Sequence, residues 1–281
     1  MKLILTLSCP DRPGIVHTVS GFLLSEGANI LEAAQLNDAS TGLFFMRVKF
    51  ECPSDVLPLE VEERFASVAN DFAMQAKFTV ADRRMPTVIM VSQIGHCLND
   101  LLFRHRSGLL PIDIRAIVSN HREFYQLAAS YGLPFHHLPV NAGNKLETEQ
   151  KILDIFRAEE AELLVLARYM QVLSDGMCQQ LSGQVINIHH SFLPSFKGAR
   201  PYQQAFDRGV KLIGATAHYV TADLDEGPII EQGIERVDHT MDPASLTAIG
   251  RDTESVVLAR AVKWHAEHRI LLNGHKTVVF Q

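Results

Sequence analysis

The chain lacks any long hydrophobic run. No apolar stretch approaches the about 18 residues of a membrane span, and no charged-then-apolar leader precedes Met1-Lys2-Leu3. The expectation is a protein neither secreted nor membrane-bound. Cysteine is sparse and unpaired in pattern: Cys9, Cys52, Cys97 and Cys178 are scattered, with no C-x-x-C spacing. That distribution predicts free thiols in a reducing cytoplasm. Clustered Lys and Arg are missing as well. A net charge of −6 and a pI near 6.1 argue against a nucleic-acid partner and suit small-molecule chemistry. Despite 13 histidines, neither H-E-x-x-H nor H-x-E…C-x-x-C spacing occurs, so no catalytic metal is expected. Adjacent histidines on a strand leave opposite faces, so neither His136-His137 nor His189-His190 should form a two-point ligand site.

What is present is enough apolar material, 47% of 281 residues, for one or two ordinary cores. Lys2 to Ser8 reads as a strand ending in the turn Cys9-Pro10-Asp11-Arg12-Pro13-Gly14. Ile15, Val19, Phe22 and Leu23 then recur at helical spacing, and Gly27 stops the helix. Strands over 28–36 and 43–50, a helix over 58–72 and a strand over 75–80 complete a β-α-β-β-α-β order, the ferredoxin-like arrangement. The spelling S-C-P-D-R-P-G-I-V, followed by a helix and G-A-N-I, resembles an ACT domain, a small amino-acid-sensing module. The resemblance implies effector contacts at Asp11, Gly14 and Asn29. Because such sites form between two ACT domains, it also implies at least a homodimer.

The proline-broken, charged run 83–86 predicts a linker between an ACT domain over 1–82 and a second domain over 87–281. In the second domain short Val/Ile/Leu runs at 87–92, 112–118, 135–138 and 163–166 alternate with helical segments. This order predicts a Rossmann-like, mostly parallel α/β fold. The turn after its first strand carries only Gly95, without G-x-G-x-x-G, so no dinucleotide cofactor is expected. A helix over 243–268 follows. Last comes a hairpin signalled by Asn273-Gly274.

The densest chemistry lies in two blocks. In V-I-N-I-H, Asn187 and His189 are two apart on a strand and share a face, an amide donor beside an imidazole. Gly214 to Val220 reads as a second strand leading into Thr221-Ala222-Asp223-Leu224-Asp225-Glu226-Gly227, a carboxylate-rich loop. A carboxylate brought to the Asn/His pair would place a base, a cation and a neutral donor around one small site. In such sheets ligands bind beyond the carboxyl ends of the strands, where both blocks are expected.

The run N-I-H, S-F-L-P-S-F-K-G, H-Y-V and D-L-D-E-G-P-I-I resembles the 10-formyltetrahydrofolate-using enzymes, over roughly 87–266. The resemblance implies a catalytic trio of Asn187, His189 and Asp225. It also implies a folate pocket walled by Gln171, Val172 and Leu173 on one side and Thr221, Ala222 and Asp223 on the other, with His190 and His218 at the substrate. The folate is then the substrate and no separate cofactor is implied. Three features point to water as acceptor, and so to the family's deformylase branch. His190 stands where the resembled transferases carry Pro or Ala. The spelling H-H-S-F-L-P with G-A-R-P-Y is that branch's, and an ACT domain in front is its architecture. The implied reaction is hydrolysis of 10-formyltetrahydrofolate to formate and tetrahydrofolate, feeding purine synthesis and balancing one-carbon pools, with methionine and glycine as effectors. The enzyme alternative is a formyltransferase acting on glycinamide ribonucleotide or methionyl-tRNA. An amino-acid-binding regulator with a disabled catalytic domain is the alternative from another class, and the intact trio counts against it.

Overall fold

The computed structural model describes residues 1–53, 58–193 and 201–281. The sequence motif's stretch 194–200 lies outside the described residues. The chain divides into two compact units. One holds Met1–Arg83, Glu267–Asn273 and Thr277–Gln281, and the other holds Arg84–Ala266 and Gly274–Lys276.

In the first unit the order is β1 (Lys2–Pro10), α1 (Ile15–Ser25), β2 (Asn29–Asp38), β3 (Leu43–Glu51), α2 (Pro58–Asp71) and β4 (Gln75–Val80). Period-two alternation puts Leu3, Leu5 and Leu7 of β1 inside, all fully buried. The sheet order is β2-β3-β1-β4, antiparallel throughout. Ile15, Val19 and Leu23 of α1 and Val61 and Phe65 of α2 join this core, where Phe65 meets Phe22 and Phe78 edge-on. β3 is buried on both faces, the signature of a sheet covered twice. The second cover is a departure from the expected boundary. The C-terminal hairpin, expected in the second domain, packs Val278 and Phe280 against fully buried Phe45 in the first unit. Arg47, two residues on and 2% exposed, reaches the carbonyls of Glu267 and His268 as well as Glu32.

The second unit runs β5 (Met85–Val91), α3 (His96–Arg106), β6 (Ile112–Ser119), α4 (Tyr125–Ser130), β7 (Phe135–His137), α5 (Lys145–Ala158), β8 (Leu163–Leu166), α6 (Asp175–Gln180), β9 (Val185–His189), α7 (Pro201–Asp207), β10 (Leu212–Tyr219), β11 (Ile229–Arg236) and α8 (Pro243–Ala266). β12 (Ile270–Asn273) and β13 (Lys276–Val279) form the hairpin. Its turn is Gly274-His275, with Asn273 retained in β12 by a bond to Asp38. The seven-stranded sheet has the order β11-β10-β9-β8-β5-β6-β7. Strands β9 to β7 in that order pair in parallel, as expected of a Rossmann-like α/β domain. β10 and β11 are antiparallel additions. Because β10 runs against β9, the Asp225 loop leaves the sheet near the start of β9 and reaches back to His189 at its carboxyl end, where the residues following β8 also line the cavity.

Candidate active site

Asn187 lies mid-sheet, flanked by Leu166 of β8 and His218 of β10. Its Nδ2 is 3.2 Å from His218 Nε2. An amide nitrogen only donates, so His218 Nε2 accepts, and the ring's Nδ1 donates to the Tyr219 carbonyl at 2.8 Å. Burial lowers the His218 pKa, in keeping with this neutral tautomer. His218 Nε2 also stands 3.7 Å from Asp225, but a neutral ring makes no ion pair there. The ring holds the Asn187 side chain in place and leaves one amide hydrogen and the carbonyl oxygen for other partners.

Asp225 has a positive φ of 59°, a left-handed conformation that Asp tolerates. Thr221 Oγ1 donates to the Asp223 carbonyl at 3.1 Å, and the Glu226 N–H to the same oxygen at 3.3 Å, tightening the turn. Gly227 lets the loop close. A Cβ there would stand 1.8 Å from the Tyr219 carbonyl oxygen. So folded, Asp225 Oδ1 comes to 3.2 Å from His189 Nδ1. The hydrogen bond and charge of His189, against an opposing contribution from burial, hold the Asp225 carboxyl below the usual carboxylate range.

The two histidines at the end of β9 depart from the expected opposite faces. β9 ends at His189, so strand alternation no longer governs His190. Its ring stacks on that of His189 at 4.7 Å with 19° between planes. Burial first, then the charges of Arg168 and His189, push the His190 pKa down to about 4. The Nε2 atoms of both rings are buried and lack a hydrogen-bond partner among the described residues.

Around this group is a cavity of about 240 Å³. Every expected catalytic and substrate-binding position lines it: Asn187, His189, Asp225, His190, His218, Gln171, Val172, Leu173, Thr221, Ala222 and Asp223. The wall over 167–174 is an irregular loop, with Arg168 at a positive φ of 65°. Ser92 Oγ accepts from Met170 N at 2.9 Å, and Glu149 accepts from Ser174 N at 2.8 Å. Leu173 is buried while Met170 and Val172 stay open at 56% and 54%.

Sequence reasoning missed Arg168, Tyr202 and Glu254. Glu254 is 1% exposed on α8, accepts from the Tyr202 hydroxyl at 2.6 Å and faces His96 Nε2 at 2.8 Å and Arg168 Nε at 3.4 Å. A charged residue on the inner face of a helix was the available signal. His96, Cys97 and Glu254 bring potential metal-ligand atoms within 4.8 Å of one another. The Glu254 oxygens already accept from His96 and Tyr202 and lie beside the fixed cation of Arg168, and burial keeps the Cys97 thiol protonated.

The three expected effector residues do not converge within one chain. Pro10, next to Asp11, pairs with Leu43, whereas Asn29 pairs with Glu51 at the opposite end of β3. Asp11 instead accepts a hydrogen bond from Asn37, which was not anticipated. Gly14, with φ of 97°, begins α1 in a conformation favoured by glycine.

The formyl transferase family model matches residues 85–262. A formyltetrahydrofolate deformylase of Corynebacterium sp. (strain P-1) is 49% identical, over 100% of this chain and 99% of that protein. The chain belongs to the formyltetrahydrofolate deformylase family. The crystal structure of the Burkholderia mallei formyltetrahydrofolate deformylase superposes with a TM-score of 0.96 at 51% identity, covering 100% of this chain and 99% of that one. Glycinamide ribonucleotide transformylase 1 of Symbiobacterium toebii superposes at 0.65 and 26% identity, covering 95% of its own chain but only 70% of this one. Similarity to the deformylases thus extends over both units, and similarity to that transformylase over part of the chain.

Proposed function

We propose that this chain hydrolyses 10-formyltetrahydrofolate to formate and tetrahydrofolate, with Asn187, His189 and Asp225 as the catalytic groups. The observation that carries the assignment is the His189–Asp225 contact of 3.2 Å in the cavity that Asn187 also lines. The formyl group is amide-like, and attack on its carbon makes a tetrahedral oxyanion. Asn187 N–H and His189 Nε2–H donate to that oxygen, a type of contact whose loss costs roughly 2.7–4 kcal/mol. Asp225, ionised, takes a proton from the attacking water and passes it to the folate nitrogen as the C–N bond breaks. One water is consumed, and formate and tetrahydrofolate leave. Folate and water are the only reactants, and no cofactor takes part. The folate lies between the 171–173 and 221–223 walls.

Purified protein given 10-formyltetrahydrofolate alone should release formate and tetrahydrofolate in equal amounts. Strict dependence on glycinamide ribonucleotide or methionyl-tRNA would overturn the reading in favour of a transferase. The reaction would supply formate for purine synthesis in the cytoplasm. Four buried free cysteines support a reducing compartment, and among the described residues no helix is long and apolar enough to cross a membrane.

The first unit is proposed as an ACT domain that binds methionine and glycine as opposing effectors. Asp11 and Asn29 lie at opposite ends of its sheet, so a site using both requires a second copy of the chain, which supports a homo-oligomer. Titrating either amino acid against formate release tests this, and no change in rate or folate affinity would leave the unit without that role.

A further inference from the structure

The buried polar cluster behind the cavity is not used by the trio. Burial opposes ionisation of Glu254, yet bonds from His96 and Tyr202 and the charge of Arg168 more than offset it, and its pKa lies below the usual range. A buried carboxylate persists when so paired. The Arg168 guanidinium pairs with it by charge, Nε standing 3.4 Å away without a hydrogen bond among the described residues, and its Nη1 reaches His190 Nδ1 at 3.0 Å. A guanidinium has donors only, so His190 Nδ1 accepts and the neutral ring carries its proton on Nε2. That Nε2 is the buried atom without a partner among the described residues, on a ring stacked against His189 in the cavity wall.

We propose that Arg168 and Glu254 are positioning residues acting through His190. They lock it as the Nε2–H tautomer and present it as a permanently neutral donor beside His189. On the hydrolytic reading above, which this inference deepens, a ring kept neutral leaves Asp225 basic enough to take the proton of the attacking water. The chemical logic is one of charge. Two cationic rings stacked at 4.7 Å would repel and would over-stabilise the Asp225 carboxylate, weakening it as a base. Occupying the His190 Nδ1 lone pair with a fixed cation prevents the second charge. The groups facing His190 are Arg168 and His189, which oppose its protonation, and Glu254 and Asp225, which favour it.

The test reads the ring directly. Long-range proton–nitrogen correlation on the labelled full chain, assigned with His190→Asn, should show wild-type His190 with bare Nδ1 and protonated Nε2 from about pH 5 to about pH 8. In Arg168→Gln the ring should titrate inside that range. Formate release should fall about tenfold with KM nearly unchanged and gain an acid limb. Arg168→Lys should restore the tautomer, and Glu254→Gln, which keeps partners for His96 and Tyr202, should reproduce part of the loss. A protonated Nδ1 in the wild type, or an Arg168→Gln variant with unaltered ring state and turnover, would overturn the proposal. If Arg168→Gln does not fold, the wild-type tautomer decides. Failure of the hydrolytic reading shows separately, as no formate from a wild type whose tautomer is as proposed.

Discussion

Asn187 and His218 face each other across the antiparallel β9–β10 pair, with the amide nitrogen of one 3.2 Å from the ring nitrogen of the other. The histidine accepts because its other nitrogen is committed to the Tyr219 carbonyl. It therefore sets the orientation of a donor without carrying charge. His218→Ala should lower kcat by about fivefold to tenfold, the value of one neutral hydrogen bond, with little change in KM. Steady-state kinetics on formate release checks this, and an unchanged kcat would show that Asn187 is oriented by other contacts.

Asp225→Asn keeps the shape of the loop and removes the proposed base. Turnover should fall by about 100-fold or more while folate affinity, read by fluorescence quenching or calorimetry, stays within a few-fold. The wild-type carboxyl is held below the usual range, so it should limit activity only at a pH more acidic than an ordinary aspartate would. Its contribution to stability is complete above the unfolded Asp value of about 3.9 and is lost as pH falls through the lower folded value.

His190 and His218 make the opposite demand on acid stability. Both are held neutral chiefly by burial, His190 down to about pH 4. Between the unfolded histidine value of about 6.5 and that point the unfolded chain binds more protons than the folded one, so stability drops as pH falls. For His190 the loss is on the order of 3 kcal/mol. Denaturant midpoints measured from pH 7 to pH 4 should slope accordingly, and His190→Gln should flatten the slope. Equal slopes in both proteins would show that other groups cause it.

Gly227 has no room for a side chain, since its Cβ would lie 1.8 Å from the Tyr219 carbonyl. Gly227→Ala should cost about 1–3 kcal/mol and displace Asp225 from His189. Thermal melting gives the first effect and formate release the second. A variant with native melting and native turnover would mean that the loop closes by another route.

Arg47 ties β3 to the carbonyls of Glu267 and His268 and to Glu32. Arg47→Met should destabilise the first unit by about 3 kcal/mol and raise hydrogen exchange in the C-terminal hairpin before elsewhere. Uniform exchange across the unit would argue against this anchor.

Local pattern determined a large part of the molecule. Alternating leucines in β1, the 3.6-residue spacing of Ile15, Val19 and Leu23 in α1, and the Val/Ile/Leu runs of β5 to β8 are one-dimensional signals of faces that must be buried. The spacing of Asn187 and His189 and the carboxylate-rich turn were legible for the same reason. Tertiary structure decided what those signals cannot encode. The antiparallel run of β10 brought His218 to Asn187 and sent the Asp225 loop back to His189. The end of β9 let His190 stack on His189. Burial of Glu254 on α8 gave Arg168 a counter-charge distant in sequence. Phe45 and Arg47 drew the C-terminal hairpin to the first unit. Each depends on strand direction or on pairing a buried charge or apolar face across the chain, and those are properties of the assembled core rather than of residue spacing.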